Sequence, residues 1–336
     1  ISGVYLAKLV REDGTFGESR IPFIVRDDAS TSDIIFQTSD TTWQAYNPWG
    51  GNSLYTGHET GSFHKAVSYN RPMALDIAEP TGTTLYGPES YLFGAEYAAI
   101  RWLESNGYDV SYQTGIDTAR FGDSLLNHEV FLSVGHDEYW SGEQRANVEA
   151  ARDAGVNLSF WSGNTMFWKT RHDVGITGDS WKTLVTYKES YDGAPSDPSN
   201  IWTGLWRDAD GLSEGGGVPE SALKGSNFAV NLGTPLTTID IPHAICGCLL
   251  WANTDVANLQ PGETWTLNGN YLGYEWDVDV LDEFRPDNLI ALSETTVEVP
   301  WLLEGTNVQY SPGTATHNMT MYRADSGALV FSAGTV

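Results

Sequence analysis

The sequence of 336 residues has little cysteine, few basic side chains and no long apolar run. Its two cysteines, Cys246 and Cys248, lie two residues apart, so a disulfide between them would be strained and we expect both thiols to be free and buried. The 18 Lys and Arg stand against 44 Asp and Glu, and the net charge of −26 argues against nucleic acid or anionic membrane surfaces as partners. No run of about 18 apolar residues is present, so no membrane-spanning helix is predicted.

Several catalytic motifs are also absent. The chain contains no G-x-S-x-G, no P-loop and no H-E-x-x-H. Where a class I glutamine amidotransferase would carry its nucleophilic cysteine after a strand, this chain has Gly135 to Glu138 instead. A reaction at this position would therefore use an activated water, and a bound metal is the usual means of activating one.

The best-defined local pattern covers residues 130–164. Val130–Val134 is a short apolar run, and Ser141 with Gln144 forms a capping box that predicts a helix over Gly142–Ala154. A second apolar run follows at Val156–Trp161. This order predicts a strand, a crossover helix and a neighbouring parallel strand.

The rest of the first half repeats this alternation of strands and helices. It predicts an α/β fold with three layers and a mostly parallel sheet, with an antiparallel edge hairpin and an irregular insertion at residues 190–235. The further predicted elements are strands at Ser2–Val10, Ser19–Val25, Ile34–Thr38, Ala66–Tyr69 and Tyr108–Gln113, a helix at Gly94–Asn106, and strands at Leu249–Asn253, Asn270–Asp277, Met319–Arg323 and Ala328–Ala333.

The ends of the chain suggest a larger context. It begins without Met and ends at Val336 in what reads as a strand, so we expect residues 1–336 to be a single domain cut from a longer protein. Neighbouring domains of that protein, or further copies in an oligomer, are expected partners. The acidic composition favours an extracellular location, and a cytoplasmic one stays open.

Polar side chains follow two of the predicted parallel strands. His136, Asp137 and Glu138 follow the first, and Asn164 follows the second. Sites in open α/β sheets form at the carboxyl ends of strands, so these side chains are predicted to share a crevice. The alternative is structural: the carboxylates cap a helix, His136 bonds to backbone, and Asn164 is a turn residue.

Two other positions are candidates. Tyr46 follows the predicted strand at Ile34–Thr38, where it could also be a buried plug beneath a loop. Glu275 lies between Tyr274 and Trp276, where partial desolvation would suit a general base, although alternation along a strand would expose it.

In the insertion, Trp202 and Trp206 could line an entrance or be covered by a neighbouring domain.

These motifs resemble a known family, the C-terminal domain of the N,N-dimethylformamidase large (beta) subunit and its bacterial relatives. The resemblance covers nearly the whole chain. It rests on SGVYLAKL, TTWQAYNPWGG, SYNRP, AEYAAIRWLESNGYDVSY, GYEWD and MYRADSGALVFSAGT, and above all on VFLSVGHDEYWSGEQRANVEAARDAGVNLSFWSGN.

The resemblance implies a flavodoxin-like sheet of the class I glutamine amidotransferase type and a mononuclear ferric iron held by two tyrosinates and one glutamate. The glutamate falls on Glu138 and one tyrosine on Tyr46. For the second tyrosine the motifs leave Tyr5 and Tyr69, of which Tyr5 is preferred.

The implied activity is hydrolysis of a formamide-type or other small linear amide, with His136, Asn164 and Glu275 as catalytic residues. Two alternatives remain at this point. One is a non-catalytic extracellular module that binds carbohydrate or acts as a scaffold on the same fold. The other is hydrolysis by His136 and Glu138 without a metal, which requires the tyrosines to lie too far away to be ligands.

Overall fold

The computed structural model describes residues 1–15, 18–57, 62–73, 92–231, 237–245, 247, 249–305 and 308–336. The chain divides into two compact units. Unit 1 comprises Ile1–Ala151 and Lys169–Lys188, and unit 2 comprises Arg152–Trp168 and Glu189–Val336. The two cysteines lie outside the described residues, and the prediction of a single domain stays a prediction.

The described chain contains the following strands and helices. The strands are β1 (Gly3–Val10), β2 (Glu18–Val25), β3 (Ile34–Thr38), β4 (Ala66–Ser68), β5 (Val110–Thr114), β6 (Val130–Val134), β7 (Tyr139–Ser141), β8 (Asn157–Trp161), β9 (Trp168–Asp173), β10 (Thr183–Val185), β11 (Asn227–Val230), β12 (Thr237–Pro242), β13 (Thr264–Leu272), β14 (Trp276–Val278), β15 (Ile290–Ala291), β16 (Thr295–Leu303), β17 (Tyr310–His317), β18 (Thr320–Arg323) and β19 (Leu329–Ser332). The α-helices are α1 (Asp40–Tyr46), α2 (Tyr97–Ser105), α3 (Gly115–Arg120), α4 (Gly142–Asp153) and α5 (Ser221–Lys224).

Unit 1 is built around three parallel strands in the order β5, β3, β6, so that β3 is central. Its apolar run is buried along almost its whole length, as a strand covered on both faces requires. The carboxyl ends of β3 and β6 lie side by side, because Ile34 pairs with Val130 and Gln37 with Ser133. The residues that follow these two strands therefore begin at one edge of the sheet.

Antiparallel strands complete unit 1. The hairpin of β1 and β2 packs Val4 and Ile24 against a small core of Trp43 and Leu92. A second sheet has the order β4, β10, β9, β7. In α2, Trp102 exposes 47% of its surface, and its ring packs against that of Tyr108.

Unit 2 contains β8 in parallel with β19, and antiparallel strands elsewhere. β19 pairs with β18 and β18 with β15 in antiparallel fashion. Strands β11, β14, β17 and β16 close a small barrel. Val230 and Trp276 of these strands are fully buried in one apolar cluster with Leu272 of β13.

The predicted fold class was wrong. The structure has 34% strand and 21% helix, in several mixed and antiparallel sheets, and is not a mostly parallel three-layer sandwich. The parallel crossover pattern holds for the strands around β3, but after Lys169 the segments between strands lack helical periodicity. Such segments cannot form crossover helices, so the strands there join through turns into antiparallel sheets.

Two local predictions in unit 2 also need correction. The segment predicted as a strand at Leu249–Asn253 begins as a 3₁₀ turn over Leu249–Trp251. Glu275 does not lie within a strand, because β13 ends at Leu272 and β14 starts at Trp276.

The insertion is largely irregular up to α5 and is fixed by one buried carboxylate. Glu189 accepts hydrogen bonds from the backbone N–H groups of Ser196, Asp197 and Thr203 at 2.7–3.0 Å. A single side chain thus satisfies several loop amides that form no sheet.

None of the helices within the described ranges has the length and apolar character that a membrane span requires.

The turn after β6 depends on glycine. Gly135 has φ +86°, and a Cβ there would lie 2.7 Å from Cγ of Glu96, whereas Gly107 has φ +74° and open space around it. We expect Gly107→Ala to cost about 1 kcal/mol, the penalty for left-handed backbone alone. Gly135→Ala should cost about 2 kcal/mol more, because the buried side chain of Glu96 must also move away from the added methyl group. Chemical denaturation of both variants measures this, and equal losses would contradict it.

Candidate functional site

Two tyrosine side chains and one glutamate side chain meet in unit 1. The Tyr55 hydroxyl donates to Oε1 of Glu138 at 2.7 Å, and the Tyr46 hydroxyl donates to Oε2 at 2.8 Å. The two hydroxyl oxygens are 2.8 Å apart, and the two rings stack with centroids 4.1 Å apart. Glu138 is 3% exposed, so both phenols converge on a buried carboxylate.

Helix α1 positions two members of this cluster. It follows β3 directly and places Tyr46 at its last position. Two threonines near its start hold the segment after β6: the Glu138 N–H donates to the Thr42 hydroxyl at 3.0 Å, and the Thr41 hydroxyl donates to the Tyr139 carbonyl at 2.7 Å. The TTWQAY motif therefore supplies the Tyr46 phenol. It also fixes the backbone of Glu138, whose carboxylate accepts a hydrogen bond from that phenol.

A reversal of the chain brings Tyr55 to the same point. Gly50 and Gly51 adopt left-handed backbone with φ of 82° and 84°, which a side chain would disfavour. The returning segment of the loop is fastened by the Leu54 N–H, which donates to the Ala45 carbonyl at 2.9 Å. Tyr55 thus comes to lie beside Tyr46, the last residue of α1.

Arg71, in the SYNRP motif, ties this loop to α1. Its guanidinium donates to the Gln44 carbonyl at 2.6 Å and to the Asn52 carbonyl at 2.8 Å. Burial lowers the pKa of Arg71 to about 10, which still leaves it charged at neutral pH. One side chain therefore joins the carbonyl end of the helix to the loop that carries Tyr55.

His136 and Asp137 flank the cluster. Nε2 of His136 lies 3.4 Å from Oε2 of Glu138. Asp137 points elsewhere, since its Oδ2 accepts from Nε2 of Gln37 at 2.7 Å and from the Ser133 hydroxyl at 2.8 Å. Burial raises the pKa of Asp137 to about 7 against these hydrogen bonds. Asp137 is therefore a structural neighbour of the cluster, while His136 borders it directly.

A buried lysine covers Tyr55. Nζ of Lys188 lies 3.5 Å from the centre of the Tyr55 ring and 5.5 Å from that of Tyr139. Burial lowers the pKa of Lys188 to about 7, and the nearby Glu138 carboxylate opposes this shift. Lys188 also has left-handed backbone, with φ 50°. Neither Lys188 nor Tyr55 lies in a motif from which a functional role is predicted.

The chemistry of this donor set fits a hard cation. Burial of the Tyr55 hydroxyl, and then the Glu138 carboxylate beside it, raise the pKa of Tyr55 well above 10. Without a cation the Tyr55 phenol therefore keeps its proton and donates it in a hydrogen bond to the carboxylate. Two phenolates and one carboxylate would carry three negative charges, which match a trivalent ion, and each donor atom is a hard oxygen. Tyr55 exposes 36% of its surface, so this edge of the cluster borders solvent.

The structure places the two tyrosines favoured by the motifs elsewhere. The Tyr5 hydroxyl donates to the Ile1 carbonyl at 3.4 Å and its ring stacks on Phe23 in the β1–β2 hairpin. The Tyr69 hydroxyl donates to Oδ2 of Asp40 at 3.2 Å. Neither hydroxyl bonds to Glu138, so the geometry favours Tyr55, and the role of Tyr5 stays a prediction from the resemblance.

The other two predicted catalytic residues meet within unit 2. Nδ2 of Asn164 donates to Oε2 of Glu275 at 2.9 Å, and both side chains are buried. Trp202 and Trp206, which could have lined an entrance, are 1% and 5% exposed and belong to the interior of the insertion.

Comparison with known proteins agrees with the motifs. A family model described as N,N-dimethylformamidase beta subunit-like, C-terminal, matches residues 1–336, the whole chain. The chain belongs to this family. Membership relates it to a dimethylformamidase subunit and is compatible with amidohydrolase activity. A search of curated proteins found no significant match.

Asp40, at the start of α1, should make the stability of the protein depend on pH. Its Oδ1 accepts from the Gly115 N–H at 2.6 Å, and burial, with Asp117 and Asp137 nearby, raises its pKa from 3.8 to about 8. The folded state therefore keeps a proton that the unfolded state releases, and this contribution to stability is lost as pH rises from about 4 to 8.

We expect Asp40→Asn to be more stable than the wild type at pH 8, with the difference shrinking toward pH 4. The uncharged amide keeps the shape of the protonated acid and does not need to bind a proton. Denaturation at several pH values measures the difference, with the exposed Asp123→Asn as the control for losing one acidic charge. A difference that does not change with pH would contradict the assignment.

Proposed function

We propose that this protein is a ferric amidohydrolase that cleaves a formamide-type or other small linear amide into a carboxylic acid and an amine. Tyr46, Tyr55 and Glu138 would hold the iron. The observation that carries the proposal is the convergence of two phenol oxygens on one buried carboxylate, with all three contacts at 2.7–2.8 Å.

Family membership supports the coarser part of this proposal, a protein related to a dimethylformamidase. The donor set supports the finer part. A carboxylate that merely needed satisfying could accept from any hydroxyl or amide, whereas two stacked phenols supply oxygens that become anionic on losing a proton. A ferric ion bound there would supply Lewis acidity, which polarises an amide carbonyl toward attack by water.

The residues around the cluster have distinct tasks in this proposal. Tyr46 and Tyr55 would each lose a phenol proton to solvent when the ion binds, and Glu138 would supply a carboxylate oxygen. His136, whose Nε2 lies 3.4 Å from Glu138, is placed to donate a hydrogen bond to an amide oxygen brought to the donors. Arg71 and Lys188 would keep Tyr55 in place, through the loop backbone and through its ring.

Asn164 and Glu275 remain predicted catalytic residues. Within unit 2 the Asn164 amide donates to one oxygen of the Glu275 carboxylate and so fixes its orientation. An oriented carboxylate can accept a proton from water, and an amide N–H can stabilise an oxyanion. These two properties match the roles that the resemblance implies.

The geometry does not favour the alternative of hydrolysis by His136 and Glu138 without a metal. It required the tyrosines to lie too far from Glu138 to be ligands, but two tyrosine hydroxyls donate hydrogen bonds to that carboxylate. A hydrolase that used only His136 and Glu138 would have no need of the paired phenols.

The first test is the iron content and visible absorption of the protein purified after expression with added iron. We expect about one iron per chain and a tyrosinate charge-transfer band in the wild type, both lost in Glu138→Ala and strongly reduced in Tyr46→Phe and Tyr55→Phe. Each Phe variant keeps the ring and its stacking and removes only the oxygen. Release of amine from small formamides should follow the iron content.

Tyr5→Phe and Tyr69→Phe are the matched controls, because each removes a phenol oxygen that does not contact Glu138. Both should keep the iron and the band. Loss of the band in Tyr5→Phe with an intact band in Tyr55→Phe would reject Tyr55 as a ligand. A wild-type protein that stays colourless and metal-free after iron is offered would reject the proposed function.

A further inference from the structure

The backbone around Asn164 is unusual. Asn164 has φ 48° and Met166 has φ 60°, so two residues without a glycine's freedom adopt left-handed conformations in the loop after β8. Asn164 is 2% exposed and Met166 is fully buried. Asparagine adopts this conformation more readily than most residues, whereas a buried methionine does so only where the surrounding structure enforces it.

Asp277, in β14, supplies one such constraint. Its Oδ1 accepts a hydrogen bond from the Asn164 N–H at 2.9 Å. This bond fixes the peptide that enters the left-handed residue. Because the acceptor is a carboxylate, the bond is stronger than one to a neutral group would be.

The other oxygen of Asp277 is held from a different side. Oδ2 accepts from the Ser226 hydroxyl at 2.9 Å and pairs with Nζ of Lys224, and neither the Lys224 nor the Asp277 side chain is exposed. The Ser226 oxygen also lies 3.1 Å from the Ser332 hydroxyl, which belongs to β19. The Asp277 carboxylate therefore cannot turn away from Asn164 without breaking a buried ion pair.

The side chain of Asn164 shows what this arrangement achieves. With the backbone fixed by Asp277, Nδ2 of Asn164 donates to Oε2 of Glu275 at 2.9 Å. Asp277 and Glu275 are two residues apart and bind the backbone and the side chain of the same asparagine. A change in the backbone angle of Asn164 would displace its amide from Glu275.

We propose that Asp277, neutralised by Lys224, is a positioning residue that holds Asn164 in its left-handed conformation and so directs the Asn164 amide at Glu275. This inference rests on the proposed function, because the direction of that amide matters for turnover only if the protein cleaves amides. It gives the Asp277–Lys224 pair a role in positioning Asn164. The alternative explanation is that this buried ion pair serves stability alone.

Two double variants separate these explanations. The first, called the amide variant, combines Lys224→Met with Asp277→Asn; it removes both charges and keeps an oxygen that can accept from the Asn164 N–H. The second, called the apolar variant, combines Lys224→Met with Asp277→Leu and removes that acceptor as well. Both are uncharged at these positions and carry a branched side chain at residue 277. They differ in the larger volume of leucine and in the acceptors for the Asn164 N–H and the Ser226 hydroxyl, so the readouts are taken at Asn164 itself.

The first readout is the side-chain amide signal of Asn164 in an NMR spectrum, assigned by its loss in Asn164→Asp. We expect a wild-type-like signal in the amide variant and a shifted signal in the apolar variant. The second readout is amide hydrolysis. The apolar variant should lose about tenfold or more in kcat, with little change in KM, relative to the amide variant.

Identical Asn164 signals and identical kcat in the two variants would overturn the inference and leave the proposed function intact. Absence of amide hydrolysis in the wild type would reject the proposed function, and the NMR comparison would still decide the positioning role. If the apolar variant does not fold, hydrogen exchange of the wild-type Asn164 N–H decides instead. Strong protection is expected, and rapid exchange would overturn the inference.

Discussion

A buried carboxylate needs hydrogen-bond donors or a cation, and the way Glu138 meets this need shapes unit 1. Its backbone N–H is held by Thr42, and its two oxygens receive the hydroxyls of Tyr46 and Tyr55. To bring these groups together, α1 must follow β3 without a long loop, and the segment after α1 must turn back on itself. The helix, the glycine turn and the Arg71 contacts are all consequences of that requirement.

Part of this arrangement could be predicted from the sequence. The apolar runs of β3 and β6 are continuous, so their parallel pairing and the approach of the residues that follow them could be inferred from the pattern alone. The structure accordingly places Tyr46 beside Glu138. The capping box was only partly formed, because the Gln144 N–H donates to the Ser141 hydroxyl while no bond returns from the Gln144 side chain to Ser141.

Other features depend on contacts that no local pattern encodes. Tyr55 joins the cluster because Gly50 and Gly51 reverse the chain and Arg71 fastens the loop, whereas the motif resemblance favours Tyr5. Most of the antiparallel pairing in unit 2 was not predicted, because strand direction depends on the connections, and irregular connections leave that direction open. Glu275 was assigned to a strand, whereas the break between β13 and β14 gives its carboxylate the freedom to meet Asn164.

The contact between the Gly135 turn and Glu96 also bears on how the sequence can vary among relatives. Glu96 accepts bonds from the Ser39 N–H and from the Trp43 indole, so it cannot withdraw when a side chain is added at position 135. A relative that carries another residue at 135 would lose stability unless it also carried a shorter residue at 96 and another acceptor for that indole. These positions, distant along the chain, are therefore expected to change together.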